Sequence, residues 1–429
     1  MKFAIKTLGC KVNTYESNYI SEQLKKNNFE EVTFTKEADI YIINTCSVTN
    51  KADSKSMQLI NRVKKNHPKS ILVVIGCFVQ TNMENTEKFE NIDILLGNKD
   101  KEKLVAYIKK FIENKKQIKF IEEINETDFD DMIIESPNQT RAFVKIQDGC
   151  NNFCSYCIIP FARGRCRSRD KNSALKEIEN LVKSGYKEIV LTGIHTGAYG
   201  IDINSSLSEL LEDILKIKEL KRLRISSIEI TELDNKFLNL LSKNKILVDH
   251  MHIPLQSGSN PILKKMNRKY KVEEFEKIIK NLKKIRPNML ITTDVIVGFP
   301  GETKELFLET LEFVRKINFF KVHVFPYSRR KGTVADEMIN HIDEKEKKER
   351  VKALMNLSEE LEKNHLEKLI DKVVEVIPET YNLGTLTGHT GSYITVSFKG
   401  SEKLLKKIVE VKIEKIENFK CIGKYQEKR

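Results

Sequence analysis

Three closely spaced cysteines constrain this 429-residue chain more than any other feature. They lie in the stretch from Asp148 to Cys157, where Cys150, Cys154 and Cys157 have the spacing C-x3-C-x2-C. Such a run lets three thiolates bind three corners of a cubane iron-sulfur cluster and leaves the fourth iron without a protein ligand. The alternative is structural zinc, which usually needs four ligands, and no second cysteine pair or matching histidine pair lies nearby. The spacing therefore favours an iron-sulfur cluster with one open iron.

The same run, with an aromatic residue at Tyr156 just before the last cysteine, resembles the radical S-adenosylmethionine (SAM) superfamily. The resemblance implies that the open iron chelates the amino and carboxylate groups of SAM, and that the reduced cluster cleaves SAM to a 5'-deoxyadenosyl radical. In such enzymes the cofactor performs the difficult chemistry and the protein supplies position. By itself the motif indicates a superfamily and does not identify a reaction.

Strand and helix patterns alternate through the first hundred residues. Apolar runs predict strands at 3–8, 39–44 and 70–76, and amphipathic stretches predict helices at 16–26 and 53–65. The fold class predicted for this part of the chain is α/β, with a doubly wound parallel sheet covered by helices on both faces.

Three further cysteines, Cys10, Cys46 and Cys77, each follow one of these predicted strands. Because the carboxyl ends of parallel strands share one edge of a sheet, the three thiols can converge there as a second site. The alternative is that each is an ordinary small buried residue. The segments 7–17 and 44–53 closely resemble the amino-terminal domain of the methylthiotransferases, a radical SAM subgroup. That resemblance implies that these three cysteines hold an auxiliary 4Fe-4S cluster.

Six further strands are predicted after residue 140, separated by amphipathic helices. They span 142–147, 188–192, 222–228, 250–255, 290–297 and 321–326. Six such units predict a partial (β/α)6 barrel, with the active residues in the loops after the strands. Several of these loops resemble methylthiotransferase segments that line the SAM pocket, although 298–301 is also compatible with a simple turn before a helix. The SAM contacts expected on this basis are Tyr156, Thr192, Gly193, Ser226, Glu229, Gln256 and Ser257.

A basic run follows the cysteine loop. Its arginines are Arg163, Arg165, Arg167 and Arg169. We expect them to bind RNA phosphates, the alternative being a solvated charged face. Cys166 lies among them outside the C-x3-C-x2-C spacing, and we interpret it, like the isolated Cys421, as a residue that binds no metal.

The remaining segments are polar or rich in short strands. Residues 115–139 form a polar stretch without clear periodicity, with acidic residues at 128–131 and an end at Pro137. Such composition is typical of a linker or a surface strap. Residues 342–371 predict a charged, solvated connecting helix. Short β segments at 372–378, 384–387, 393–398 and 408–416 predict a small β-barrel. The pattern around 384–396 resembles the TRAM module, which implies RNA binding, whereas a structural or dimerising β domain is the alternative.

Composition limits the partners and the compartment. There are 74 Lys and Arg against 61 Asp and Glu, a net charge of +13, which favours polyanions such as RNA unless the lysines only cover solvated faces. No signal peptide or apolar run of about 18 residues is visible, so we expect a soluble, cytoplasmic protein without membrane contact. We expect the eight cysteines to serve metals rather than disulfides.

Together these resemblances cover nearly the whole chain and imply a tRNA methylthiotransferase. The segments 9–13, 44–53 and 192–200 most resemble the MtaB type, which converts N6-threonylcarbamoyladenosine at position 37 of tRNA to its 2-methylthio derivative. Related types act on N6-isopentenyladenosine in tRNA or on a ribosomal-protein aspartate, and an RNA-binding iron-sulfur protein without catalysis is a further alternative. The resemblance implies two 4Fe-4S clusters, SAM, a low-potential electron donor such as flavodoxin or ferredoxin, and a monomer. The expected domains are 1–115, a radical SAM core at 136–365 and a TRAM-like unit at 372–429.

Overall fold

The computed structural model describes residues 1–84, 89–124, 128–136 and 139–427. Pro137, where the sequence predicts the polar stretch to end, and the terminal residue Arg429 lie outside the described residues. Among the helices within these ranges, none combines the length and apolarity that a bilayer crossing requires.

A six-stranded parallel sheet forms the amino-terminal part of the chain. Its strands are β1 (Lys2–Thr7), β2 (Glu30–Glu31), β3 (Ile40–Thr45), β4 (Ile71–Gly76), β5 (Ile94–Leu96) and β6 (Ile118–Phe120), and its helices are α1 (Lys11–Lys26), α2 (Asn50–Asn66), α3 (Cys77–Gln80) and α4 (Leu104–Asn114). The strand order is β2-β1-β3-β4-β5-β6. Ile40 and Ile42 pack with α1 and α4, whereas Tyr41 and Ile43 pack with α2 on the opposite face. Helices therefore cover both faces, as predicted.

The central part contains two three-stranded parallel sheets side by side. Its strands are β7 (Ala142–Lys145), β8 (Gln147–Asp148), β9 (Arg167–Ser168), β10 (Glu188–Thr192), β11 (Arg222–Ile225), β12 (His250–His252), β13 (Leu290–Val297) and β14 (Lys321–Pro326). The orders are β11-β10-β7 and β12-β13-β14, while β8 and β9 form a separate antiparallel pair. A parallel bridge from Leu223 to Leu247 links the two sheets. All six parallel strands thus lie within the predicted runs, although β11 and β12 are shorter than predicted.

Helices surround these sheets and share one apolar core with them. They are α5 (Ile159–Arg163), α6 (Lys171–Lys183), α7 (Leu207–Ile214), α8 (Asn235–Lys243), α9 (Asn260–Lys265), α10 (Val272–Ile285), α11 (Lys304–Ile317), α12 (Val334–Glu337) and α13 (Glu344–Glu367). The prediction of a solvated connecting helix near α13 is wrong, because Leu354, Leu357 and Leu361 are at most 5% exposed and belong to this core. The Ser358 hydroxyl also accepts a hydrogen bond from the Val322 amide of β14 at 2.9 Å.

The polar stretch after Lys115 joins the first two parts. Its beginning supplies β6 to the first sheet, and its later residues Met132 and Ile134 are each 1% exposed against Tyr15 of α1. The Ile134 amide donates to the Glu177 carboxylate of α6 at 2.9 Å. This segment is therefore a packed strap, the second of the two arrangements that its composition predicts.

A closed five-stranded barrel ends the chain. Its strands are β15 (Val373–Asn382), β16 (Thr385–Thr390), β17 (Thr395–Lys399), β18 (Val409–Glu417) and β19 (Lys420–Gln426), in the order β15-β16-β17-β19-β18. Cys421 is fully buried in the barrel core. The barrel docks on β11 through backbone carbonyls: Arg222 donates to Glu375 O at 3.1 Å, and Arg224 donates to Gly391 O at 2.9 Å.

Candidate active site

Cys10, Cys46 and Cys77 lie at the carboxyl edge of the first sheet. They follow β1, β3 and β4, which are neighbours in that sheet, so parallel topology brings the three thiols to one edge. Cys46 Sγ lies 2.8 Å from the position that a Cβ on Gly9 would occupy. Gly9 also has a φ of +97°, so the tight approach of these two loops requires glycine.

Two asparagine amides fix the loops that carry these thiols. Asn13 Nδ2 donates to Leu8 O at 2.7 Å and to Thr45 O at 2.8 Å, which ties the loop after β1 to the end of β3. Asn98 Nδ2 donates to Cys77 Sγ at 3.3 Å and to a backbone carbonyl of α5 at 2.7 Å. Neither asparagine is predicted from the sequence. For Asn98 the missing signal is β5, which is too short to be recognised from periodicity.

The loop with Cys150, Cys154 and Cys157 lies between β8 and α5. Ser155 anchors it to α9 and the residue that follows: its amide donates to Met266 O at 3.1 Å and its hydroxyl donates to Lys265 O at 2.8 Å. A turn hydrogen bond from the Cys157 amide to Cys154 O, at 2.9 Å, folds the two last thiols toward one side. The loop is thus held from within and from a neighbouring helix.

Two basic side chains contact these thiols. Arg268 Nη1 donates to Cys154 Sγ at 3.3 Å and pairs through its other nitrogen with Glu229. His195 Nδ1 lies 3.8 Å from Cys150 Sγ. Burial lowers the pKa of His195, but Cys150 and Glu232 raise it to about 10, so the ring is protonated at neutral pH. Neither residue is predicted from the sequence, because each lies on a loop distant in the chain from its cysteine partner.

Metal binding must overcome the protonation of the buried thiols. Burial raises the pKa of Cys46 to about 11 and that of Cys157 to about 12, in each case with a further increase from the other thiols of its set. A metal ligand is a thiolate, so binding of iron must release these protons. Cys166 belongs to neither cysteine set: its thiol lies 3.2 Å from Gln147 Nε2, and the residue is 7% exposed.

A cavity of about 750 Å³ is lined by cysteines from both sets. Cys10 lines it from the first sheet, and all three cysteines of the second loop line it from the opposite side. Six of the predicted SAM contacts also line it: Tyr156, Thr192, Gly193, Ser226, Glu229 and Gln256. A molecule in this cavity can therefore contact both sets at once.

Ser257, the seventh predicted SAM contact, lies away from the cavity. Its side chain is fully buried, with its hydroxyl 3.3 Å from Thr310 Oγ1 of α11. The prediction for Ser257 is corrected on this ground: its hydroxyl stabilises the packing of the loop against the helix. Gln256, one residue earlier, has a φ of +64°, and the turn it makes sends Ser257 away from the cavity.

The basic run is not the continuous RNA contact that the sequence predicts. Arg163 and Arg169 are at most 1% exposed: Arg163 pairs with Glu16 and Asp148, and Arg169 pairs with Glu177. Their guanidinium groups cannot reach a phosphate on the surface, so the prediction is corrected for these two residues. Arg167 is partly buried and donates to Arg163 O at 3.0 Å. Arg165 is exposed and lies over the Phe153 ring at 4.5 Å.

Arg163 belongs to a buried ionic cluster beneath the two cysteine sets. The cluster consists of Glu16, Lys101, Lys145, Asp148 and Arg163, which are at most 5% exposed. Burial alone would raise the pKa of Glu16, but the charges of Arg163, Lys101 and Lys145 hold it well below its usual value. Three cations face two carboxylates, which leaves one positive charge in excess. Burial raises the pKa of Cys10, and the charge of Arg163 opposes that rise.

The two cysteine sets are suited to bind iron-sulfur clusters, and the cavity beside them is suited to bind SAM. Each set offers three sulfur ligands and leaves the fourth corner open, and the excess positive charge offsets the negative charge that thiolates bring. Cys10, Cys46 and Cys77 would hold one cluster, and Cys150, Cys154 and Cys157 the other. The cavity between them has room for a ligand and offers polar side chains to orient it.

The parallel α/β architecture with this cysteine loop is that of the radical SAM superfamily, and residues 144–314 match that superfamily. Residues 2–97 match the Uncharacterized protein family UPF0004. Among solved structures, the radical SAM methyltransferase TsrM from Kitasatospora setae, with cobalamin and a [4Fe-4S] cluster bound, superposes with a TM-score of 0.56. It covers 78% of this chain and 77% of TsrM at 14% identity, a likeness of fold alone.

The sequence relatives are closer. Threonylcarbamoyladenosine tRNA methylthiotransferase MtaB of Bacillus subtilis (strain 168) is 43% identical, over 96% of this chain and 93% of the relative. The protein of the same name from Thermotoga maritima is 37% identical, over 92% and 91%. A tRNA-2-methylthio-N(6)-dimethylallyladenosine synthase of Clostridium tetani is 36% identical, over 98% and 95%. The chain belongs to the radical SAM methylthiotransferase family, whose members are transferases that use SAM and 4Fe-4S clusters.

Proposed function

We propose that this chain methylthiolates C2 of N6-threonylcarbamoyladenosine at position 37 of tRNA. One observation carries the proposal: Cys10 of the first set and all three cysteines of the second set line the same cavity, so a base bound there lies beside both sites. The names of the relatives that are 43% and 37% identical support the choice of substrate.

The chain's own residues bind and orient the reactants. When bound, the clusters and SAM supply the radical and sulfur chemistry, because no side chain could activate the unreactive C2 position by acid-base catalysis. Tyr156, Thr192 and Ser226 offer hydroxyl groups along the cavity wall, and Gly193 lets the backbone approach a ligand closely. Arg268 holds Cys154 and Glu229 in a fixed relation. When SAM is bound, these groups would orient it beside the cluster held by Cys150, Cys154 and Cys157.

The three parts of the chain divide this work. We assign the auxiliary cluster to residues 1–115, the radical SAM core to 136–365 and a TRAM-like RNA-binding unit to 372–429. The barrel topology of the last part and its exposed lysines support an RNA contact. A low-potential donor such as flavodoxin or ferredoxin reduces the cluster, and the chain acts as a monomer in the cytoplasm, where tRNA is modified.

A second candidate substrate is N6-isopentenyladenosine in tRNA, since the Clostridium tetani relative carries the corresponding name at 36% identity. One experiment tests both substrates. Anaerobically reconstituted protein is incubated with dithionite, SAM and tRNA carrying either modification, and the nucleosides are analysed by mass spectrometry. The proposal expects the 2-methylthio product from the threonylcarbamoyl substrate alone. Product from the isopentenyl substrate alone would reverse the assignment.

A further inference from the structure

A second cavity adjoins the one between the cysteine sets. It has a volume of about 510 Å³ and shares four lining residues with the first: Lys11, Ser226, His252 and His323. Strands β11 to β14 form its floor, and the barrel forms one wall through residues such as Tyr393 and Thr395. A ligand whose reacting atom lies between the cysteine sets can therefore extend into it.

The charge of this second cavity is strongly positive. Its lining includes Lys11, Arg224, Lys321 and Lys420, against the one carboxylate of Glu362 in the described lining. Glu362 is already paired with Lys321 at 3.0 Å. Three further carboxylates lie nearby and also have partners: Glu188 with Arg224 at 2.7 Å, Glu379 with Arg141 at 3.1 Å, and Asp294 of the first cavity with His252 at 3.3 Å. Positive charge remains available to a ligand.

Three basic side chains in the wall have nitrogen atoms without partners. Arg224 is 2% exposed, and its Nη1 has no hydrogen-bond partner. His250 is 8% exposed, and its Nδ1 likewise has no partner, while its Nε2 is 3.2 Å from Thr292 Oγ1. Within residues 1–84, 89–124, 128–136 and 139–427, no ion pair or hydrogen bond involves the Lys11 ammonium. Buried polar groups without partners are rare, and such groups side by side indicate a site for an anionic ligand.

The Tyr393 ring keeps this arrangement rigid. Its centroid lies 4.9 Å from the Arg224 guanidinium and 4.9 Å from that of Arg141. The ring also stacks on His250 and on His389, with centroid distances of 5.6 Å and 4.9 Å. A cation held on an aromatic face loses little conformational freedom when a ligand binds. The barrel thus fixes the orientation of Arg224 and His250 from outside the central core.

We infer that Lys11, Arg224 and His250 form a receptor for the carboxylate of the threonylcarbamoyl group. The inference rests on the proposed function and names the part of the substrate that this second cavity recognises. In adenine, C2 and C6 flank N1 in one ring. Since the two cavities adjoin, a base with C2 between the cysteine sets can extend its N6 substituent into the neighbouring cavity. The threonylcarbamoyl substituent ends in a carboxylate, whereas an isopentenyl group is apolar and would leave the three donors buried without partners.

The test compares an acid with its neutral ester. Reconstituted full-length protein is titrated by equilibrium dialysis with N6-threonylcarbamoyladenosine and with the methyl ester of the same nucleoside. We expect the acid to bind about tenfold or more tightly than the ester, the effect of hydrogen bonds to a charged group. Equal affinities in the wild type would overturn the inference.

Variants at Lys11 test whether its charge causes the preference for the acid over the ester. Lys11→Gln should reduce the acid-to-ester ratio toward one, and Lys11→Arg should keep it, because the charge is retained. Lys6→Gln, on the exposed side of β1, is the matched control and should leave the ratio unchanged. Iron content and circular dichroism establish that each variant is folded. An unchanged ratio in folded Lys11→Gln contradicts the receptor.

The outcome is separable from that of the proposed function. Binding that prefers the acid, in a protein that makes no 2-methylthio product from the threonylcarbamoyl tRNA, would contradict the reaction and support the receptor. Product formation together with equal binding of acid and ester would support the reaction and overturn the receptor.

Discussion

Arg163 Nη1 lies 2.9 Å from Glu16 Oε1, and both side chains are 1% exposed. Glu16 lies on α1, six residues after Cys10, and Arg163 ends α5, six residues after Cys157. The pair therefore joins the two segments that carry the cysteine sets. Because buried charges are costly to leave without partners, this contact fixes the spacing across the cavity.

Loss of the Glu16 charge should destabilise the chain strongly. Glu16→Gln leaves three buried cations with the single carboxylate of Asp148, so the free energy of unfolding should fall by about 3–5 kcal/mol. The matched control is Glu360→Gln, which breaks an exposed pair with Arg315 and should cost less than about 1 kcal/mol. Urea denaturation of the iron-free protein under reducing conditions measures both. Similar losses in the two variants would contradict the stabilising role of the buried cluster.

Removal of one auxiliary ligand should separate sulfur transfer from SAM cleavage. We expect wild-type protein to bind about eight irons and Cys46→Ala about four, because each set ligates its own 4Fe-4S cluster. The variant should lose methylthiolation and still cleave SAM to 5'-deoxyadenosine. Cys166→Ala is the control and should retain all iron. A Cys46 variant that methylthiolates tRNA at the normal rate would contradict the ligand assignment.

Asp130 should make stability depend on pH. Burial raises its pKa to about 6, against the opposing charge of Lys145. In the unfolded chain the carboxyl ionises near pH 4, so folding favours the protonated form and stability falls as pH rises from about 4 to about 6. Asp130→Asn should therefore be more stable than wild type above pH 6, by roughly 2 kcal/mol.

Unfolding midpoints in urea between pH 4 and pH 8 test this expectation. The exposed neighbour Asp128 gives the control variant Asp128→Asn, whose stability should follow the wild type. Parallel curves for Asp130→Asn and wild type over the whole range would show that burial of this carboxyl has no effect on folding.

Exposed lysines on the barrel should contribute to tRNA binding. Charge reversal of Lys403, Lys406 and Lys407, which are exposed after β17, should weaken binding and reduce the slope of log affinity against log salt by about 2–3. SAM cleavage without tRNA should not change. The control reverses the exposed Lys109, Lys110 and Lys116 near α4. A salt slope that changes equally in both triple variants would argue against an RNA contact specific to the barrel.

Periodicity predicts the long elements of this fold well. Strands β1, β3 and β4 of the first sheet and all six strands of the two three-stranded sheets overlap the runs that predict them. The three-residue strands β5 and β6 are missed, because so short a run has too little period to distinguish it from a loop, and the longer α4 and β19 are missed as well. For α13 the apolar spacing of Leu354, Leu357 and Leu361 indicates a buried face, whereas the alternating charges around it indicate a solvated one.

Site residues are predictable from the sequence where metal ligation requires one residue type. They are not predictable where the interacting residue is distant in the chain. The six cysteines follow from their spacing and from strand ends. The burial of Arg163 does not, because its partner Glu16 is 147 residues away and charge alone indicates a solvent-exposed side chain. The same holds for Arg268, whose thiol partner Cys154 is 114 residues away. Local sequence reports which groups can ionise, whereas only the fold determines which of them meet.

The joint between the barrel and β11 has a consequence for divergence within the family. Arg222 and Arg224 donate to the carbonyls of Glu375 and Gly391, and every amino acid supplies the same carbonyl. Side chains at these two barrel positions can therefore be exchanged by mutation without loss of the two carbonyl hydrogen bonds, provided that the backbone path is kept. This part of the attachment to β11 can stay the same while the two positions diverge in sequence.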